Sequence, residues 1–121
     1  MVTIPKPGKR STDLFYNATS GWNKLTVEQH CRMCGRHRSV RPLTRHHLVP
    51  LRHFESAPGR RYRMVRNANA NIAPLCRICH DLVESRDMIA RRMLRRLLTQ
   101  QEIAFIVRVR GKEWLDRRYP A

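Results

Sequence analysis

The chain has 121 residues, a length that suits one domain built around a single hydrophobic core. Apolar residues make up 41% of the chain, but no apolar run approaches the roughly 20 residues that span a bilayer, which excludes a membrane protein. The 25 Lys and Arg residues against 9 acidic residues give a net charge of +16. This excess points to a polyanionic partner, with nucleic acid as the leading candidate. The alternative is a basic surface that is merely solvated.

The N-terminal stretch MVTIPKPGKRSTD contains two prolines and several basic residues, and it lacks the apolar segment of a secretory signal. We interpret residues 1–20 as a flexible basic arm. The absence of a signal predicts that the protein stays in the cytoplasm.

Two segments with different patterns follow in chain order. Residues 39–51, SVRPLTRHHLVPL, combine β-branched residues and leucines with two prolines, which predicts a short strand or extended segment. Residues 55–71 are rich in Arg and Asn and are predicted to form a polar loop.

The C-terminal part of the chain is predicted to be helical. The stretch PLCRICHDLVESRDMIARRMLRRLL shows helical spacing of its apolar residues. One face should carry Leu82, Ile89, Met93 and Leu97, with Val83, Ala90 and Leu94 beside it. Thr99 and Glu102 have the spacing of a capping box, which predicts a new helix that ends at Gly111. A last helical turn should stop at Pro120.

Four cysteines form two C-x-x-C pairs, Cys31 with Cys34 and Cys76 with Cys79, with 41 residues between the pairs. The cytosol keeps thiols reduced, and the βαβ pattern that a thioredoxin-like redox pair would need is absent. Four thiolates at this double spacing are a typical tetrahedral set for structural zinc. We therefore expect one zinc ion bound by all four cysteines, and this ion would hold the segment RHHLVP near the second pair.

Polar residues beside the cysteines complete a larger pattern. His46 and His47 precede x-x-Pro in HHLVP, Asn71 precedes the apolar step into the second pair, and His80 follows that pair in CRICH. In this combination, residues 31 to about 84 resemble the HNH endonuclease family. The resemblance implies an α+β fold, with a small zinc-stabilised ββα-metal core and flanking C-terminal helices. It divides the chain into the arm, an HNH nuclease domain at 21–98 and a helical extension at 99–121 that packs on the same domain.

The resemblance also implies a role for each residue. His47 takes the position of the general base, and His46 and His80 take those of ligands for a catalytic divalent ion. Asn71 takes the position of the asparagine that fixes the base histidine through the backbone. Adjacent residues on an extended segment point to opposite sides, so the two neighbouring imidazoles should indeed have different tasks.

Some of these assignments have alternatives. Asn67 and Asn69 lie in the same Asn-rich loop as Asn71, and His80 could instead be a spare zinc ligand or a helix-capping group. Most family members carry Asp where this chain has His46. Imidazole suits Zn²⁺, Ni²⁺, Co²⁺ or Mn²⁺ better than Mg²⁺, so the identity of the catalytic metal stays open among these ions.

Positive charge is concentrated around this pattern, since residues 30–80 contain eleven Arg and one acidic residue. The predicted nucleic-acid-binding residues are Arg45, Arg60, Arg61, Arg63 and Arg66. A second group, Arg91, Arg92, Arg95 and Arg96, would either contact phosphate or form a solvated helix face. No base-reading motif is evident, which predicts backbone contacts with low sequence specificity.

The sequence therefore predicts a metal-dependent endonuclease that hydrolyses phosphodiester bonds of DNA, most simply double-stranded DNA. The family resemblance implies 5′-phosphate and 3′-hydroxyl ends, and an RNA substrate stays open. The alternative is a non-catalytic zinc module that binds nucleic acid or a partner protein. The small size and the C-terminal tail resemble free-standing bacteriophage HNH proteins. By analogy alone, this implies a bacterial host cytoplasm, a link to DNA packaging and terminase subunits as partners.

Overall fold

The computed structural model describes residues 24–50 and 67–121, so the predicted N-terminal arm and most of the predicted polar loop lie outside the described residues. The described part is α+β, as predicted, with five α-helices and a two-stranded sheet. In chain order the elements are α1 (Lys24–Glu28), β1 (Leu43–His47), a 3-10 turn (Asn69–Asn71), β2 (Ile72–Cys76), α2 (Arg77–Glu84), α3 (Met88–Leu97), α4 (Gln100–Arg110) and α5 (Lys112–Arg118).

The two strands form the centre of the fold. They pair antiparallel, from Leu43 opposite Cys76 to His47 opposite Ile72, so the predicted extended segment is a strand over its middle five residues. Every residue of β2 is buried, and α2 begins directly after β2 ends. This β1, β2, α2 order produces the predicted ββα arrangement and places residues of α2 beside the end of the sheet.

The long helical segment predicted after the second cysteine pair is two helices, α2 and α3, and the prediction of its apolar face was wrong. The chain breaks at Arg86, whose φ of +68° is left-handed, and Asp87 Oδ1 then caps α3 by accepting from Ala90 N at 3.0 Å. The buried face carries Cys79, Val83, Ala90, Arg91 and Leu94. The predicted face is exposed, with Leu82 41%, Ile89 75%, Met93 46% and Leu97 39% exposed.

The reason for the different face of α2 is its cysteine. Cys79 must point toward the other three thiols, which fixes the rotation of the helix about its axis. Val83, one turn further along, then points inward, and Leu82 points outward. The grouping of the four cysteines thus overrides the apolar periodicity of the sequence.

The C-terminal helices follow the predicted boundaries. Thr99 and Glu102 form both hydrogen bonds of the capping box at the start of α4. Gly111 ends α4 with φ of +93°, a left-handed value that glycine adopts without strain. The last helix stops at Arg118, just before Tyr119 and Pro120, and the Tyr119 side chain is fully buried in the core.

These helices contact the part of the chain around the sheet. Lys24 Nζ donates to Glu102 Oε2 at 2.7 Å and to the Asn69 carbonyl oxygen at 2.6 Å, which joins α1, α4 and the 3-10 turn. Phe105 and Ile106 of α4 are completely buried in the shared core. The domain boundaries at residues 20 and 98 stay predictions.

Within residues 24–50 and 67–121, no helix combines the length and the apolar character needed to cross a membrane.

Candidate metal centres and active site

Two short segments bring the four cysteines together, as predicted. Cys31 and Cys34 flank a turn that Gly35 closes by donating from its backbone N to the Cys31 oxygen at 2.9 Å, with φ of +77° at the glycine. Cys76 ends β2, and Cys79 lies in the first turn of α2. The four sulfur atoms all lie within 4.8 Å of one another. This cluster can hold a structural zinc ion.

The electrostatics of the cluster favour a bound cation. Burial opposes ionisation of Cys34, but hydrogen bonds, led by that of the Arg36 backbone, lower the pKa of its thiol to about 6. Burial and the neighbouring sulfur atoms of Cys76 and Cys31 raise the pKa of Cys79. Sulfur atoms as close as those of Cys34 and Cys76, 3.8 Å apart, repel one another as thiolates unless a cation offsets their charge. The donor set therefore fits a divalent ion.

A second group of side chains that could hold a metal ion lies where α2 faces β1. It consists of His46, His80 and Glu84, whose possible ligand atoms lie within 4.8 Å of one another. His80 and Glu84 are four residues apart and share one face of α2. The His46 Nδ1 atom is 3.6 Å from Glu84 Oε1, and the His46 and His80 ring centroids are 5.1 Å apart. The structure thus brings the two predicted ligand histidines together and adds a carboxylate.

His46 is fully buried. Burial, followed by the nearby His80, lowers the pKa of His46 well below its usual range. Its Nε2 atom is 3.0 Å from the Tyr119 hydroxyl, whereas Nδ1 has no hydrogen-bond partner among the described residues. The 3.6 Å to Glu84 is too long for a hydrogen bond. A buried polar atom in this condition needs an explanation, and a metal ion bound at Nδ1 supplies one.

His80 is held by a hydroxyl on the neighbouring strand. Its Nδ1 atom lies 2.7 Å from Thr44 Oγ1, and the same hydroxyl donates to the Leu75 carbonyl oxygen at 2.7 Å. Burial lowers the pKa of His80, although the carboxylates of Glu84 and Asp81 partly oppose this shift. A lowered pKa favours the neutral ring that a metal ligand requires.

His47 is the residue after His46 on β1, and successive side chains of a strand point to opposite faces. Its Nε2 atom is 3.0 Å from Asn67 Oδ1. The fully buried Asn71 instead binds the backbone of Val49, accepting from its N at 2.8 Å and donating to its O at 3.2 Å. Asn71 therefore holds the chain two residues after His47, and Asn67 contacts the ring itself.

Residues 31–86, which include both clusters of possible metal ligands, match the protein-family model HNH, described as HNH endonuclease. This segment is an HNH endonuclease domain. Neither a search of curated proteins nor a search of solved structures found a match to the chain. The HNH domain implies a nuclease-type activity, a nucleic-acid substrate and use of a divalent metal, which confirms the sequence prediction at the level of the family.

The predicted nucleic-acid-binding residues of the HNH domain are described only in part. Arg45 lies on β1 between Thr44 and His46 and is half-buried. The other four, Arg60, Arg61, Arg63 and Arg66, lie outside the described residues.

The second arginine group, on α3, divides into two pairs. Arg91 is buried and donates from Nε to the Val83 carbonyl oxygen at 2.8 Å, which binds the end of α2. Arg95 donates from Nη1 to Asp116 Oδ1 at 3.0 Å and to the Tyr119 carbonyl oxygen at 2.7 Å. Arg92 and Arg96 are exposed. Arg91 and Arg95 therefore stabilise the fold through hydrogen bonds, whereas Arg92 and Arg96 remain at the surface.

Three residues near the predicted site were missed or undervalued in the sequence. Glu84 could have been found, because it lies four residues after His80 on a predicted helix. Asn67 is predicted only as an alternative to Asn71, and the loop composition gives no sign that it contacts His47. Tyr119 lies 73 residues from His46 and outside the HNH domain, and no sequence pattern links the two.

Proposed function

We propose that this protein is a metal-dependent endonuclease that hydrolyses phosphodiester bonds of DNA. The observation that carries the proposal is the buried Nδ1 atom of His46, which has no hydrogen-bond partner among the described residues and faces Glu84 in a cluster with His80. A module that only bound nucleic acid through its zinc fold would have no use for a buried, unsatisfied imidazole nitrogen.

The donor set of this cluster fits a catalytic divalent ion. Two imidazoles and one carboxylate, from His46, His80 and Glu84, form a set that Zn²⁺, Mn²⁺, Co²⁺ and Ni²⁺ bind more readily than Mg²⁺. Such an ion, when bound, would neutralise negative charge on the scissile phosphate and on the leaving oxygen. Glu84 supplies the carboxylate that the family usually carries at the position of His46.

His47 is the proposed general base. Its Nε2 atom lies 3.0 Å from Asn67 Oδ1, a contact that orients the ring for its proposed task of accepting a proton from the attacking water. Asn71 fixes the backbone at Val49 and so limits the movement of the strand end that carries His47. The base is thus oriented by one asparagine and its backbone by another.

The basic charge of the chain supports a polyanionic substrate. A net charge of +16 and the arginine-rich segment around residues 30–80 suit a duplex bound through its phosphates, with low sequence specificity. Arg45 and the predicted group Arg60, Arg61, Arg63 and Arg66 would contribute to this binding. Products with 5′-phosphate and 3′-hydroxyl ends belong to the same proposal. A bacteriophage origin, with terminase subunits as partners in DNA packaging, rests on analogy alone.

The experiment is a plasmid-nicking assay across a panel of divalent ions. Supercoiled DNA is incubated with the zinc-loaded full chain and Mn²⁺, Co²⁺, Ni²⁺ or Mg²⁺, and the nicked and linear products are measured. We expect cleavage with the first three ions that exceeds cleavage with Mg²⁺. His47→Ala should lose about 100-fold or more of this activity, as expected for removal of a general base. His30→Ala, which removes an exposed histidine next to the first cysteine pair, should retain it.

Two outcomes would reject parts of the proposal. Equal cleavage by the wild type and His47→Ala would reject His47 as the base. DNA binding without cleavage in any ion would favour the alternative, a zinc module that binds nucleic acid without catalysis.

A further inference from the structure

Each ligand histidine of the second cluster contacts a hydroxyl group, and in both cases that hydroxyl donates its proton to a backbone carbonyl. The Tyr119 hydroxyl donates to the Leu48 carbonyl oxygen at 2.6 Å. The hydroxyl has only one proton, so toward His46 Nε2, 3.0 Å away, it accepts. Arg118 Nε also donates to the same oxygen, at 3.3 Å. His46 therefore carries its proton on Nε2, and its lone pair lies on the buried Nδ1.

The same reasoning applies to His80, with the nitrogen atoms exchanged. Thr44 Oγ1 donates to the Leu75 carbonyl oxygen at 2.7 Å, so it accepts from His80 Nδ1 at 2.7 Å. His80 therefore carries its proton on Nδ1 and its lone pair on Nε2. Leu48 directly follows β1, and Leu75 lies in β2. The fold therefore fixes the positions of both carbonyl groups.

We propose that Tyr119 and Thr44 are positioning residues that set opposite tautomers in the two ligand histidines, so that the ion is bound by Nδ1 of His46 and by Nε2 of His80. A hydroxyl that can only accept leaves the ring no choice of tautomer, and it also fixes the ring plane. Tyr119 lies outside the HNH domain at residues 31–86, so the residue directly after the last helix completes the metal centre of that domain. The inference rests on the proposed function of this site.

The arrangement explains two features that the HNH domain alone leaves open. Tyr119 is the largest fully buried side chain among the described residues, and its polar end points at a metal ligand rather than at solvent. Arg118, next to it, binds Glu84 Oε1 at 3.3 Å and lies over the Tyr119 ring, with its Cζ atom 5.5 Å from the ring centroid. The end of α5 thus contacts two of the three metal-binding side chains.

The first test reads the tautomers directly. Two-bond proton–nitrogen correlation spectra of the zinc-loaded full chain, without a second metal, distinguish the two neutral forms of each histidine. We expect His46 protonated on Nε2 and His80 protonated on Nδ1. The opposite tautomer in either ring would overturn the inference for that residue, whether or not any variant folds.

The second test measures Mn²⁺ affinity by the electron paramagnetic resonance signal of the free ion, with zinc kept on the cysteines. Tyr119→Phe and Thr44→Val remove only the hydroxyl function, and each should weaken Mn²⁺ binding about 10- to 100-fold. Thr99→Val is the control, because it removes a helix-capping hydroxyl at the start of α4 and should lower stability without changing the affinity. Folded Tyr119→Phe and Thr44→Val proteins with wild-type affinity would overturn the inference.

His46→Ala separates this inference from the proposed function. Loss of Mn²⁺ binding in His46→Ala, with no effect in Tyr119→Phe and Thr44→Val, would reject the positioning role alone. Unchanged Mn²⁺ binding in His46→Ala would reject the metal site itself and with it the proposed function.

Discussion

The carboxylate of Glu102 is bound on both oxygens by the guanidinium of Arg32, although the two residues are 70 positions apart. Arg32 Nη1 donates to Oε1 at 2.8 Å and Nη2 donates to Oε2 at 3.0 Å. Lys24 adds a third contact at 2.7 Å, and Glu102 is only 1% exposed. The contact ties the first cysteine pair to α4, whose capping box uses the same carboxylate.

Loss of this buried carboxylate should be strongly destabilising. Glu102→Gln removes the counter-charge of the buried Lys24 and one of the two carboxylates that bind Arg32, which keeps its contact with Glu28. Breaking a buried ion pair typically costs about 3–5 kcal/mol. Urea unfolding followed by circular dichroism measures the effect. Glu113→Gln, which changes an exposed glutamate in α5, should stay within about 0.5 kcal/mol of the wild type. Similar stability of the two variants would show that the buried network contributes little.

The same network predicts a loss of stability in acid. Burial alone would raise the pKa of Glu102, but the hydrogen bond from Arg32 and the charge of Lys24 lower it below the usual value of 4.5. A group with a lowered folded-state pKa stabilises the protein above its unfolded-state pKa and loses this effect as the pH falls through the folded-state value. The stability difference between the wild type and Glu102→Gln should therefore be full near neutral pH and shrink below about pH 4.5. A difference that stays constant into acid would contradict the lowered pKa.

Metal removal should distinguish the two clusters. The four cysteines join two segments separated by 41 residues, and structural zinc supplies much of the folding free energy of a small domain. A strong chelator, or Cys76→Ala, should abolish cooperative unfolding measured by circular dichroism. Washing out only the weakly bound Mn²⁺ should leave the fold intact. A chelated protein that still unfolds cooperatively would show that zinc is not required.

Asn71→Ala should separate positioning from metal binding. The variant loses both side-chain hydrogen bonds to Val49 and should lose about 1–3 kcal/mol of stability. The strand end that carries His47 would then move, and turnover in the nicking assay should fall roughly 100-fold with Mn²⁺ affinity unchanged. The control is Asn69→Ala, from the same loop, which should retain activity. Equal losses in both variants would reject the specific role of Asn71.

Local patterns in the sequence predicted much of the fold and part of the site. The two C-x-x-C pairs predicted the cysteine cluster, because metal ligation leaves a strict spacing. The capping box and Gly111 predicted both ends of α4, because helix ends depend on a few neighbouring residues. The alternation of β1 predicted that His46 and His47 point to different sides.

Contacts between distant parts of the chain could not be predicted in this way. The break between α2 and α3 could not be predicted, because the residue that adopts the left-handed conformation there is Arg86 and not a glycine or an asparagine. Arg91 and Glu102 are charged residues in the core, and only their partners, Val83 and Arg32, explain their burial. Tyr119 approaches His46 only because the chain after α5 returns to the end of β1, where its hydroxyl contacts His46 and Leu48.

The most direct test of the metal site is anomalous diffraction from crystals of the zinc-loaded full chain soaked in Mn²⁺. Data collected at the manganese absorption edge should show a peak bounded by His46 Nδ1, His80 Nε2 and the Glu84 carboxylate. The zinc edge should show a separate peak among Cys31, Cys34, Cys76 and Cys79, which serves as the internal control. A zinc peak at the cysteines with manganese bound elsewhere, or nowhere, would contradict the assignment of His46, His80 and Glu84 as the catalytic metal centre.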